Sequence, residues 1–216
     1  MPLDERALEK AVEKELGIPL KAAISAQPIE EGQLTPGEQS QLQLLTAARR
    51  RASWLKGRSA LKRLLSYLGE SPETAHLSFP HPRFSLTHSG AYAIAVGTAS
   101  SHWLGIGIDL ELKRISHLGS ARFFLNQEER RWLRQQEESL QPAHILRLWT
   151  IKEALFKSDP DNPVADLIDY LLEDPARWSG RALVFHQGNP MEIRYFSCPF
   201  EEGFLSVAAL PRKVRP

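Results

Sequence analysis

Leu42, Leu45, Ala48, Ala52 and Leu55 recur at helical spacing, and Leu61, Leu64, Leu65 and Leu68 continue the stripe. Thr35-Pro36-Gly37-Glu38 precedes them as a capping box, with proline at the first helical position. The pattern predicts one long helical stretch over 35–69, stopped by Gly69, with a break or a close backbone approach at Gly57. Short alternating runs at 84–88 and 92–96 predict two strands turning at Ser89-Gly90, and 105–111 predicts a third. A helix starts at Asn126-Gln127-Glu128-Glu129, and another covers 142–157. Asp159-Pro160-Asp161-Asn162-Pro163 breaks the chain, and 182–186, 191–196 and 204–210 alternate as closing strands. Residues 1–34 carry a short helix and a strand. Each half is therefore a helical block followed by strands. A short echo links Trp54-Leu55-Lys56-Gly57-Arg58-Ser59-Ala60-Leu61 with Trp149-Thr150-Ile151-Lys152-Glu153-Ala154-Leu155.

Within Gly105-Ile106-Gly107-Ile108-Asp109-Leu110-Glu111 the apolar residues share one strand face, and Asp109 and Glu111 share the other. Two residues along a strand span about 6–7 Å, so both carboxylates can converge on one point. Such like charges repel unless a cation lies between them. Two solvated acids at a strand end are the plain alternative. Gly107 beside them leaves room for a ligand to approach the backbone. Hard oxygen donors select magnesium, with manganese as the second choice.

On the helix over 142–157, Leu148, Ile151 and Leu155 form a core stripe. Trp149, Lys152, Glu153, Phe156 and Lys157 fall together on another face. Glu153 can serve there as a third metal ligand and the lysines as phosphate partners; a helix with local ion pairs is the competing account. Thr87-His88-Ser89-Gly90 sets an imidazole in a tight turn that can present its amides to an anion. Of the basic residues that follow Arg49-Arg50, the set Arg51, Arg58 and Lys62 lies near one helix face and suits a phosphate monoester, a solvated basic face being equally open.

Composition narrows these readings. The chain has 216 residues, enough for one large domain or two packed lobes, with 42% hydrophobic and 25% charged residues as in soluble globular proteins. Its net charge of +1 gives no general argument for nucleic-acid binding. No apolar run approaches a membrane span, the acidic start is unlike a signal peptide, and the single Cys198 excludes disulfides and Cys-rich zinc sites. A cytoplasmic location is expected.

The segments Phe84-Ser85-Leu86-Thr87-His88-Ser89-Gly90, Gly105 to Glu111 and Trp149-Thr150-Ile151-Lys152-Glu153-Ala154-Leu155-Phe156-Lys157, in this order, resemble the 4′-phosphopantetheinyl transferase superfamily. The likeness is to its larger, monomeric type, the activators of surfactin and siderophore synthases, and spans roughly 50–210. Arg122-Phe123-Phe124 followed by Glu128-Glu129 fits the same pattern.

The resemblance implies an α+β fold of two pseudo-symmetric α/β lobes with the active site between them. Residues 1–103 would bind the nucleotide end and 104–216 the metal and pyrophosphate. It implies transfer of 4′-phosphopantetheine from coenzyme A to a serine of an apo-acyl or peptidyl carrier protein, with magnesium, releasing 3′,5′-ADP. Asp109, Glu111 and Glu153 would hold the metal, and Lys152 and Lys157 would flank it with Lys157 on the pyrophosphate. His88, with Thr87 beside it, would touch a phosphate of the nucleotide end. Arg51, Arg58 and Lys62 would grip the 3′-phosphate. Arg122, Arg130, Arg131 and Arg134 would meet an acidic carrier. Two segments depart from the family: Phe79-Pro80-His81-Pro82-Arg83 stands where a Gly-Lys-Pro run is usual, and 158–163 replaces a glycine-containing loop. The rivals are a non-catalytic homologue that binds carrier or coenzyme A, and a magnesium-dependent hydrolase; for the latter no Walker-type loop is present.

Overall fold

A computed structural model describes residues 4–112 and 118–212. Helix α1 (Glu5–Leu16) is capped by Asp4, whose carboxylate accepts the Ala7 N–H, and ends at left-handed Gly17. Leu8, Val12 and Leu16 make its buried stripe. Strand β1 (Lys21–Ser25) follows.

The predicted long helix is two: α2 (Pro36–Gln43) and α3 (Ala48–Tyr67). The capping box at Thr35 forms as expected. The break falls at 44–47, where the Arg51 guanidinium reaches back to the Leu42 carbonyl and satisfies the end of α2. Gly57 does not interrupt α3. A Cβ there would lie 3.1 Å from the Leu86 side chain, so this glycine serves close packing.

Strands β2 (Phe84–Ser89) and β3 (Tyr92–Gly97) form the expected hairpin, with Gly90 at positive φ in its turn. With β1 they make an antiparallel sheet of order β1-β3-β2. A second antiparallel sheet is ordered β4-β8-β7-β6-β5, from β4 (Trp103–Glu111), β5 (Leu171–Leu172), β6 (Ser179–His186), β7 (Asn189–Phe200) and β8 (Gly203–Pro211). Helix α4 (Gln127–Arg134) opens on an Asn126–Glu129 capping box, and α5 (Gln141–Ser158) is the long helix of this half. The architecture is α+β.

The layers follow from strand alternation. Ala93 and Ala95 of β3 pack on α3 with Leu61, Leu64 and Leu65. Ile94 and Val96 turn the other way and meet Ile106, Ile108 and Leu110 of β4, Val207 of β8 and the stripe of α1. On the far side of the larger sheet, Ala182, Ile193, Tyr195 and Ala208 bury Leu148, Ile151, Ala154 and Leu155 of α5. Two sheets thus face each other, with α3 outside one and α5 outside the other. Burial pushes the Cys198 thiol up to about 12, so it is unreactive at neutral pH. Among the described residues no helix is long and apolar enough to cross a membrane.

Candidate active site

The site lies where β4 runs between α5 and β2. Gly105 and Gly107 lie under α5: a Cβ on Gly105 would stand 2.0 Å from the Ser158 carbonyl oxygen, and one on Gly107 1.9 Å from that of Ala154. The space expected beside Gly107 for a ligand is therefore filled by the helix backbone. This close approach brings Glu153 and Lys157 of α5 to the acids of β4.

Asp109 is buried, and its two oxygens differ. Oδ1 takes the Lys157 ammonium at 2.6 Å and the Thr87 hydroxyl at 3.1 Å. Oδ2 is buried and has no hydrogen-bond partner among the described residues. Glu111 accepts the Ser89 hydroxyl at 3.3 Å. Burial, then the charge of Asp109, raises the proton affinity of the Glu111 carboxyl. Burial also raises Glu153, with Asp109 adding to the effect and Lys157 opposing it. The three expected metal ligands therefore face a common region. Their ligand atoms do not close to within 4.8 Å of one another, as those of Asp159, Asp161 and His186 do. With Lys157 on Asp109, an ammonium already neutralises one acid.

Magnesium fits this donor set. A buried carboxylate oxygen with no donor, beside two carboxyls that resist ionising together, is what a hard divalent cation relieves. In the other cluster Asp159 accepts the Tyr170 hydroxyl and pairs with His186 Nε2, each at 2.7 Å, and so ties the segment after α5 to β6, while His186 Nδ1 stays buried with no partner among the described residues.

Beyond Glu111 opens a cavity of about 1000 Å³ lined by the basic side chains of Arg49, Arg50, Lys56 and Arg58, together with His88 and Ser89. Trp54, Phe79 and Leu86 form its apolar wall. Arg58 stacks on Trp54 at 4.5 Å, makes only long bonds of 3.4 Å to Thr74 and Gln41, and leaves Nε buried without a partner. A guanidinium so poorly satisfied is ready for an anion. A second cavity of about 250 Å³ adjoins it, lined by Phe79, Pro80, Leu86, Phe156, Lys157 and Asn162. Both segments that depart from the family pattern meet in this second cavity.

Four expected contacts sit elsewhere. Arg51 holds Leu42 and Glu31, and Lys62 pairs at 2.8 Å with Glu38; neither lines the cavity. Glu38 is wholly buried, which fixes Lys62 against it. Lys152 is wholly buried on Glu129 at 2.8 Å and on the Tyr170 carbonyl, and burial lowers its proton affinity. Thr87 is buried behind Asp109. Helical spacing had grouped Arg51, Arg58 and Lys62, but it does not say which flank of α3 meets the cavity. Arg49, Arg50 and Lys56 were missed for that reason; Arg49 and Arg50 carried a signal only as members of a basic run.

Residues 105–197 match the family model of the 4′-phosphopantetheinyl transferase superfamily. The match covers less than half of the chain, and over that span the chain is similar to this superfamily. The matched span holds Asp109, Glu111, Glu153, Lys152 and Lys157, and begins after His88 and the cationic residues of α3. No curated protein matches the chain.

Proposed function

We propose that this chain is a phosphopantetheinyl transferase of the larger, monomeric type, moving 4′-phosphopantetheine from coenzyme A to a serine of an apo-acyl or peptidyl carrier protein. The observation that carries the proposal is buried Asp109, whose Oδ2 has no partner among the described residues and whose charge acts on Glu111 and Glu153, with Glu111 lining the cavity that Arg49, Arg50 and Arg58 also line. Asp109, Glu111 and Glu153 would hold magnesium. That ion supplies charge neutralisation at the pyrophosphate when bound. Arg49, Arg50 and Arg58 suit the 3′-phosphate, and His88 and Lys157 the pyrophosphate; Lys152 acts from within the core. Residues 1–103 would thus serve the nucleotide end and 104–216 the metal and pyrophosphate. The pantetheine arm would run toward the smaller cavity beside Lys157.

In the reaction the carrier serine oxygen bonds to the phosphorus that bears the pantetheine arm, the bond from that phosphorus to the nucleotide breaks, and 3′,5′-ADP leaves. Charge gathers on phosphoryl oxygens, where Lys157 and His88 stabilise it. The serine must lose its proton; Glu153 is a candidate base, but a carboxylate that holds a cation beside Lys157 has a lowered proton affinity, so its first role is as a ligand. Arg122, Arg130, Arg131 and Arg134 would steer an acidic carrier by complementary charge. The enzyme would work in the cytoplasm.

The test incubates protein, coenzyme A, magnesium and an apo-carrier, then weighs the carrier. A gain of one phosphopantetheine, lost in Asp109→Ala and on chelation, is expected. Binding without gain would instead identify a carrier-binding module, and free phosphate a hydrolase.

A further inference from the structure

The two sheets meet along β2 and β4 without sharing a backbone ladder. Their junction is made by side chains. The hydroxyls of Ser85, Thr87 and Ser89 accept the N–H groups of Ile108, Leu110 and Leu112 at 3.0, 3.1 and 3.2 Å. Every second residue of β2 therefore meets every second amide of the β4 segment, in a parallel register fixed by the strand period. Two of these hydroxyls do a second thing: Thr87 donates to Asp109 Oδ1 and Ser89 to Glu111 Oε2. Ser85 serves the ladder but neither carboxylate.

We propose that Thr87 is a positioning residue for the cation site, its hydroxyl locked by the Leu110 amide so that its proton points at Asp109 Oδ1 and the empty Oδ2 is turned toward the metal. A hydroxyl that accepts a backbone N–H has its own hydrogen left to give, and the carboxylate is the acceptor within reach. With the Lys157 ammonium also on Oδ1, both donors to Asp109 sit on one oxygen. The Oδ2 lone pairs, buried and unused, then have one orientation. Ser89 does the same more loosely for Glu111, at the exposed end of the ladder. The short β2 segment thus aligns the acids while it joins the sheets. This inference rests on Asp109 being a metal ligand.

The experiment titrates the full chain, free of coenzyme A, with Mn²⁺ and follows bound ion by electron paramagnetic resonance. Wild type is expected to bind one ion that Asp109→Asn abolishes. Thr87→Val keeps the side-chain shape and removes the hydroxyl; its Mn²⁺ affinity should fall about tenfold, the scale of one hydrogen bond to a charged group. Thr87→Ser restores the hydroxyl and should lie within about twofold of wild type. Ser85→Ala removes a ladder rung without touching an acid and should also stay within about twofold. Ser89→Ala, a second variant if Thr87→Val lacks a cooperative melt, should weaken binding by a smaller factor. Unchanged affinity in Thr87→Val, or in Ser89→Ala where it stands in, overturns the inference. An equal loss in Ser85→Ala overturns it too, since a merely structural joint is then enough. If wild type binds no Asp109-dependent ion, both the metal reading and this inference fall.

Discussion

Gly107→Ala tests the contact on which the site is built. The added Cβ would stand 1.9 Å from the Ala154 carbonyl oxygen and 2.7 Å from the Ser158 amide nitrogen, both backbone atoms of α5. Neither can rotate away as a side-chain tip would. Reaching a tolerable separation requires α5 to withdraw by about 1 Å, in an interior packed as densely as an organic crystal. Ile151, Ala154 and Leu155, all fully buried against the sheet, would lose contact with it. Overpacking commonly costs about 1–3 kcal/mol, and a backbone obstruction belongs at the upper end, about 3 kcal/mol. For a chain of this size that lowers Tm by about 6–12 °C. The same withdrawal carries Glu153 and Lys157 away from Asp109, and a 1 Å misplacement can cost about a hundredfold in rate. Thermal unfolding and the carrier mass assay, read at equal folded fraction, give both numbers. Gly119→Ala, with nothing within 4 Å of its Cβ among the described residues, is the control and should stay within about 0.5 kcal/mol. If Gly107→Ala matches that control in both assays, α5 does not press on β4 as described.

Burial raises the carboxyls of Glu111 and Glu153 above their ordinary 4.5, so the folded metal-free chain binds more protons than the unfolded one just above that pH. Their contribution is present at low pH and is lost as pH rises through the raised values. With chelator present, the stability advantage of Glu153→Gln over wild type should therefore grow from about pH 4.5 upward; an advantage that shrinks refutes the sign. Lys152→Met leaves Glu129 buried without its Lys152 partner, and urea unfolding should show a loss of about 3–5 kcal/mol, partly regained when Glu129→Gln is added. Calorimetric titration should show coenzyme A binding weakened about tenfold by Arg49→Ala or Arg50→Ala and by no more than about twofold in Arg51→Ala, which lies off the cavity. Equal losses in Arg49→Ala and Arg51→Ala would remove the assignment of that cavity.

The strand acids, the hairpin at Gly90, the capping box at Thr35 and the helix start at Asn126 were legible because each is set by neighbours within a few residues. The split between α2 and α3 was not, since the end of α2 is satisfied by Arg51 from the next helix. Strand β5 escaped notice as two residues held by partners distant in sequence, β6 and the Glu129 carboxylate that accepts the Leu172 N–H. Asp109, Glu111, Glu153, Lys157 and His88 could be named as candidates from motif and period. Lys152 was placed on the functional face because spacing separates the flanks of a helix without telling which will be covered. Glu129, contributed by α4, covers it.

The chain's own order of residues determined which segments fold as helix and strand and which side chains share a face, because backbone geometry fixes those periods locally. Tertiary packing decided the rest. It set α5 against two glycines of β4, left one oxygen of Asp109 bare, and chose Arg49 and Arg50 rather than Arg51 for the cavity wall. Each of those outcomes depends on contacts between residues far apart in sequence, and no periodicity within one element encodes its neighbour.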